Sequence, residues 1–428
     1  MRDDRKIKDI YTCKYIHTDE EMYPLQKWYN QLIDKKVSEI EISDILRMIR
    51  QNEFIDIAVL KAIDYLKENP FAGDMYEGEV LEKLSGISID NLKDYVNELK
   101  EYKSENLCVK DGRIVLEDDK KEGYLESCEI ACLPSSIVVG CWACITSPEA
   151  TIELMVKVCV DGVWSKYFTY GEWGLFRENY YYNDEDEQVR MYVDEIIMKD
   201  NKTCDKVMYK VILRKQKEES PKLSLICLNF KTTAEVETTV DVRFLPMDLE
   251  YDVPRLNQNM VPVIGHEMCS ATTTAMLLKH RGLDFSKEAK NYSKVDSWGE
   301  YEHSYVASLV ADPGHNAPTF GNWVFNTAVM GGYGFNAYVK RFTGWEELKH
   351  HLATVGPVGP SINGDTGLYK TGGHLLTAIG YKVVDGKEYV ICNDPNINER
   401  FGEGLFVRYE YPLEVFMKFW RGMAYVIE

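Results

Sequence analysis

Four side chains in the C-terminal part of the chain have the types and spacing that acyl chemistry needs: Cys269, His374, Asp394 and Gln258. Cys269 begins a stretch running to about Arg281. Within it Thr272, Thr273, Met276, Leu277 and His280 recur at helical spacing, and Gly282 supplies a stop. A thiol in the first turn of a helix feels the positive end of the macrodipole, which favours the nucleophilic thiolate. His374 stands at the start of an apolar strand within Thr371 to Gly380, just after Gly372-Gly373, two glycines that let backbone or substrate approach closely, so Gly373 is an expected substrate contact. Asp394 closes a second apolar run that starts at Tyr389, and Asp385-Gly386 between the runs is a hairpin turn. His374 and Asp394 should therefore be neighbours in space. In such a set the imidazole takes the thiol proton and later protonates the leaving amine, while the carboxylate fixes the imidazole tautomer. The Gln258 amide and the Cys269 N–H would form an oxyanion hole.

Rival partners for the thiol are weaker. His266 lies in the loop expected just before the helix and is less suited than His374. His303 and His315 flank Asp312-Pro-Gly and are read as loop residues or substrate contacts rather than metal ligands. Asn322 and Trp323 are expected to shape the floor of the substrate cleft. Gly331-Gly-Tyr-Gly334 lacks the Lys-Ser or Lys-Thr that a phosphate loop carries. Cys141-Trp-Ala-Cys144 sits inside a strand-like run with no second CxxC pair, and Cys128 and Cys132 are equally isolated. Core packing is preferred for all four, and no metal or organic cofactor is implied.

The elements that must position these residues change character along the chain. Residues from about 20 to 105 read as helical: Phe54, Ile57, Ala58, Ala62, Tyr65 and Leu66 form one stripe, Ser43 is the expected cap of the preceding helix, and Asn69-Pro70 a stop. From about 110 to 250 the period becomes two. Strand-like runs occur at 137–144, 152–160, 188–198, 207–213 and 223–230, with Asp161-Gly162 as a hairpin turn, so an antiparallel sandwich is expected. Trp164, Tyr167, Phe168, Tyr170 and Trp173, with Tyr180 to Tyr182, suit a sandwich core better than a carbohydrate- or peptide-binding platform.

Composition narrows the partners. The 428 residues carry a formal charge of −19, against a general affinity for nucleic acid or anionic membrane. Eleven cysteines at irregular spacing point to reduced thiols rather than a disulfide framework. The charged N-terminus is not a signal peptide and no apolar run is long enough to span a bilayer, so a cytoplasmic location is expected, or secretion if a signal peptide has been trimmed away.

Two resemblances add to this reading. Arg50-Gln-Asn52, then Asn69-Pro-x-Ala-Gly-Asp74-x-Tyr-Glu-Gly-Glu79, resembles the small immunity proteins of contact-dependent growth-inhibition systems. That resemblance implies an all-helical module that binds a protein partner and has no chemistry of its own. Val253-Pro-x-x-x-Gln258, Cys269-Ser-Ala-Thr272, Gly321-Asn-Trp-x-Phe-Asn-Thr-Ala328, Ala337-Tyr-Val-Lys-Arg-Phe342, Gly356-Pro-Val358, Gly372-Gly-His-Leu-Leu376 and Asn393-Asp-Pro395 come in order. Together they resemble the double-glycine-peptidase-like branch of the papain-like cysteine peptidases, and the preceding β-region resembles the sandwich that often accompanies it. The resemblance implies Cys269 as nucleophile, His374 as base, Asp394 as its orienter and Gln258 as oxyanion donor, acting on a peptide or protein substrate. The expected fold is multidomain α+β. It comprises a helical module over 1–110, an antiparallel β-sandwich over 111–250 and a papain-like cysteine peptidase fold over 251–428.

Overall fold

A computed structural model of the chain describes residues 5–16, 22–68, 72–74, 79–85, 87, 103–177, 179–234, 236, 240–291, 297–311 and 319–428. It is mixed α+β and divides into two compact units, Met1–Tyr102 and Lys103–Glu428.

The first unit is helical, with helices Ile7–Tyr11, Pro24–Leu32, Ile42–Gln51, Ile55–Glu68 and Glu79–Ser85. Trp28, Leu32, Ile45, Met48, Ala58 and Ala62 face a common core. Asp44 is buried there, and it is satisfied by Trp28 Nε1 at 3.1 Å and Lys35 Nζ at 2.6 Å. Ser43 is not the cap expected: Glu41 occupies the N-cap, its N–H donating to Asp44 Oδ2, and Ser43 lies in the first turn. The long helix ends at Glu68, while the Asn69-Pro70 stop lies outside the described residues, as does much of the motif that follows it. Strands begin at Lys103–Glu105 and Leu107–Lys110, inside the stretch expected to be helical to 110.

The second unit opens with two antiparallel layers. Strand Ala150–Val160 pairs along its length with Cys204–Lys215 and, on its other edge, with Phe168–Trp173. The long strand Ile130–Ile145 joins the layers. Its first residues pair with Cys204–Lys215, and from Ser135 onward it pairs with Lys222–Thr232. The layers meet at Gly140, where a Cβ would lie 2.7 Å from the Tyr170 ring and 2.8 Å from Leu154. Tyr170 reaches across and donates its hydroxyl to Val138 O at 3.1 Å. The expected run 188–198 is two strands, Val189–Tyr192 and Glu195–Met198, because Val193 adopts φ 58° and turns the chain.

Residues 138–144 are buried without alternation. The strand is covered on both faces, by the opposite layer and by helix Trp323–Gly332. A Cβ on Gly331 would come 2.6 Å from Ala143 Cα, so at that position only glycine lets this helix lie so close, and one on Gly332 would press on the Trp173 ring at 3.1 Å. That is the role of Gly331-Gly332. It also explains Cys141 and Cys144: both are free and buried, and burial pushes the Cys141 thiol up to about 12.

The C-terminal part adds two four-stranded antiparallel sheets around helix Cys269–His280. One sheet holds Thr377–Val384 paired with Lys387–Asn393 across the Asp385-Gly386 turn, where both residues have positive φ as such a turn requires. The other runs Ala337–Arg341, Trp420–Ile427, Gly359–Asp365, Lys370–Leu375. The apolar run from Thr371 to Gly380 is thus not one strand. It breaks at Leu376, whose N–H turns to Pro360 O, and the chain crosses from one sheet to the other. Among the described residues no helix is long and apolar enough to cross a membrane.

Candidate active site

Cys269 is the first residue of its helix, and Met268 caps that helix without a side-chain bond. The helix is buried on all sides, which is why its apolar positions show no single stripe. Ser270, Thr272 and Thr274 are accommodated by Tyr425 Oη at 2.6 Å, Met268 O at 2.9 Å and Asn326 Oδ1 at 2.8 Å. These contacts fix the helix and with it the position of the sulfur.

His374 is the penultimate residue of strand Lys370–Leu375, in register with Ile362, and Asp394 directly follows strand Lys387–Asn393. They come from different sheets and converge because the chain crosses over at Leu376. His374 Nε2 lies 2.8 Å from Asp394 Oδ1. The other ring nitrogen, Nδ1, takes no part in that bond, and His374 and Cys269 are near enough for each to shift the titration of the other. His266, the rival considered above, points to solvent and pairs with Glu267 at 3.2 Å.

Electrostatics divide the three groups. Burial alone would raise the Cys269 thiol, but the facing His374 charge and hydrogen bond, with the N–H groups of Leu375 and Ser270, hold it below its usual value. Burial would lower His374, yet the Asp394 charge and the facing thiolate raise it to about 10. Asp394 is fully buried, which opposes ionisation, and the His374 charge and three side-chain donors keep its carboxyl below the ordinary range. Both shifts favour the ionised forms, so the arrangement favours the thiolate–imidazolium pair over the neutral pair.

Asp394 is the most heavily bonded of the set. Oδ1 also accepts from Asn396 N at 2.9 Å, and Oδ2 accepts from Tyr369 Oη at 2.6 Å and Tyr411 Oη at 2.7 Å. Tyr369 stands edge-on to the His374 ring, 5.8 Å between centroids. Sequence reasoning passed over both tyrosines. Only the rule that a buried carboxylate needs donors could have prompted a search, and 28 tyrosines offered no way to choose.

Residues 250–428 match the family model described as the Peptidase_C39 like family. Residues 9–102 match that of CDI immunity proteins. A comparison with curated proteins finds no match. Three similar solved structures are digestive procathepsin L 3 of Tenebrio molitor larval midgut, a structure concerning the mite allergens Blo t 1 and Der p 1, and procathepsin B S9 from Trypanosoma congolense. Their identities are 15%, 12% and 12%, and each covers 45% of this chain. The matches span 72%, 75% and 82% of those chains, with TM-scores of 0.25, 0.26 and 0.25.

Within the peptidase-like region, Gln258 is buried at the start of a short 3-10 turn. Its Nε2 donates to Gly265 O at 2.7 Å, in the loop that leads to Cys269, and its N–H donates to Pro395 O just past Asp394. It thereby ties the two sides of the site together. Gly372 and Gly373 face open space, with nothing within 4 Å of a Cβ at either, so the approach to His374 is unobstructed there.

Asn322 and Trp323 sit at the start of a buried helix. Asn322 is the N-cap of helix Trp323–Gly332, accepting from Phe325 N at 2.8 Å, and is buried. Trp323 is buried too, its N–H given to Asp194 Oδ2 in the β-layers. Both anchor the helix, because a buried helix end must have its N–H groups satisfied. His303 is helical rather than in a loop; its Nε2 meets Asn257 O at 3.1 Å, and burial lowers it to about 4. His315 and Asp312-Pro-Gly lie outside the described residues. Among the described residues no group of three or more His, Cys, Asp or Glu is placed to hold a metal ion.

Proposed function

We propose that residues 251–428 form a cysteine peptidase that hydrolyses a peptide or related amide bond through an acyl-enzyme. The observation that carries this reading is the His374 ring, held by Asp394 at 2.8 Å, whose charge helps to depress the Cys269 thiol. Cys269 Sγ attacks the carbonyl carbon and the C=O electrons move to oxygen. The Cys269 N–H and the second amide hydrogen of Gln258 receive that oxyanion. As the tetrahedral centre collapses, the imidazolium gives its proton to the leaving amine. His374 then deprotonates water, which attacks the thioester and frees Cys269. Asp394 stays ionised throughout, keeping Nε2 protonated so that Nδ1 faces sulfur.

In this reading Gly373 borders the bound substrate, and Asn322 and Trp323 shape the cleft from the start of their buried helix. The helical module, ending by Tyr102, would bind a protein partner, as the immunity-protein match suggests, and the chain would work in the cytoplasm.

Cys269→Ala and hydrolysis of casein or a pool of fluorogenic peptides provide the test. The variant should retain the circular dichroism of the parent and lose hydrolysis, since only a small side chain is removed. Iodoacetamide near neutral pH should alkylate Cys269 well ahead of the other cysteines. Undiminished hydrolysis by Cys269→Ala, or labelling of Cys269 no faster than its neighbours, would refute the proposal.

A further inference from the structure

The aromatic cluster that follows the Asp161-Gly162 hairpin does not behave as one group. Phe168, Tyr170 and Trp173 are core residues at 1% exposure or less, but Trp164 is only half-buried. Its ring lines a cavity of about 190 Å³ with Val160, Val189, Ser165, Asp186 and Gln188. This is below the roughly 300 Å³ at which drug-sized sites begin, and on the scale of one six-membered ring with its substituents.

The floor is apolar, since Val160 and Val189 are buried, and the wall is aromatic. The rim is polar and pre-set. Asp186 accepts from the N–H groups of Gln188 and Val189 at 3.0 and 2.8 Å through Oδ1, and from Lys166 N at 3.3 Å through Oδ2. Its position is therefore fixed before any ligand arrives. Ser165 Oγ is held between Val158 N and Lys166 O, and Gln188 Oε1 lies 3.5 Å from Lys202 Nζ, leaving the Gln188 amide hydrogens as donors. Glu187, exposed at the mouth, adds an acceptor.

Charge decides what such a site can take. An aromatic ring beside carboxylates would ordinarily suit a cation. Here the ring already carries one: Lys157 Nζ sits 5.0 Å from the centroids of both Trp164 and Tyr167. Lys199 Nζ donates to Asp186 O and pairs with Glu185, while Lys202 pairs with Asp161. Lys199 and Lys202 thus offset the flanking Glu185 and Asp161, and the Asp186 carboxylate already accepts three backbone N–H groups, so a charged ligand gains little. A neutral ring with one C–H face for Trp164 and the valines, and hydroxyls at its edge for Asp186 and Gln188, uses every feature present.

We propose that this cavity binds a neutral pyranose, free or at the end of a glycan. The site lies in the same compact unit as Cys269 but shares no residue with the candidate active site. It would hold that unit against glycan-bearing material whether or not the thiol reacts.

The test is calorimetry and saturation-transfer NMR on the full chain with D-glucose, D-galactose, L-fucose, N-acetylglucosamine and choline chloride. At least one sugar should bind with a millimolar Kd. Trp164→Ala should weaken it at least tenfold and Gln188→Ala about threefold, while Cys269→Ala leaves it unchanged. If Trp164→Ala does not fold, Trp164→Phe, which keeps part of the aromatic wall, should retain intermediate binding and Gln188→Ala carries the comparison. Absence of binding by all four sugars, binding indifferent to both positions, or choline binding as tightly as any sugar would overturn the proposal.

Discussion

Asp394→Asn isolates the charge that sustains the thiolate–imidazolium pair. His374 stands at about 10 against an ordinary 6.5, although burial pulls it downward. At 1.36 kcal/mol per pH unit that is roughly 5 kcal/mol of net stabilisation of the imidazolium. Two unit charges at the observed 2.8 Å, in an effective dielectric of about 20, attract by roughly 6 kcal/mol. Asp394 alone is thus large enough to account for the rise, with the thiolate adding to it and burial subtracting. Removing the charge leaves burial in command, and His374 should fall back to its ordinary range or below.

The fold should survive the change. An asparagine can turn its carbonyl to His374 Nε2 and Asn396 N, and its amide to Tyr369 and Tyr411, whose hydroxyls can rotate from donating to accepting. The assay is the pH dependence of iodoacetamide labelling at Cys269, followed by peptide mass spectrometry. In the parent the thiolate persists below the usual thiol range. In Asp394→Asn the acid limb should move up towards that range, with labelling at pH 6 reduced at least about tenfold, because more than about 1.4 kcal/mol of pairing energy is lost. Superimposable profiles from a folded variant would show that Asp394 does not sustain the pair, and the electrostatic argument would be wrong.

Three other perturbations follow from the same structure. Tyr411→Phe strips one donor from a buried carboxylate and should cost about 1.5–3 kcal/mol at neutral pH. Because the folded Asp394 carboxyl is depressed, its contribution is present above the unfolded value and lost as pH falls through the folded one, so this cost should shrink in acid; a pH-independent cost in urea titrations would contradict it. Asp194 has the opposite sign. Burial raises it to about 7, so its favourable contribution is complete below about pH 4 and disappears as pH rises through 7; Asp194→Asn should flatten the stability profile between those limits, and an unchanged slope would count against the assignment. Gly331→Ala would drive a Cβ to 2.6 Å from Ala143 Cα and 3.0 Å from Trp142 O, where backbone must yield, so a loss of about 1–3 kcal/mol is expected in thermal unfolding and an unaltered midpoint would refute the packing.

Much of this molecule was legible where a local rule applied. Asp161-Gly162 and Asp385-Gly386 announce tight hairpins, and both pairs adopt the positive φ such turns need. The alternation in 152–160 marks a half-polar strand, and Cys269 could be placed at a helix start from the residues after it. What escaped was set by partners distant in sequence. Nothing near Tyr369 or Tyr411 says that their hydroxyls converge on Asp394. Asn322 reads in sequence as a cleft residue, and its place as a helix cap appears only with the buried helix end beside Asp194. The break at Leu376 is hidden because it falls inside the largely apolar stretch Leu375 to Ile379; only the sheet that receives each strand separates them.

The same distinction bears on how the β-layers relate to the reacting groups. Strand Ile130–Ile145 is apolar on both faces because it has two partners, the opposite layer and helix Trp323–Gly332. That helix is pinned at its start by Asp194 and in its middle by Asn326, which meets Thr274 on the Cys269 helix at 2.8 Å. The path from sandwich to sulfur therefore runs through packed backbone and two buried hydrogen bonds, with no flexible linker in it. A solvent-facing sandwich strand would need alternating residues, and this one has none between Val138 and Cys144. The continuous burial of that run is the mark of a scaffold shared by the β-layers and the Cys269 helix.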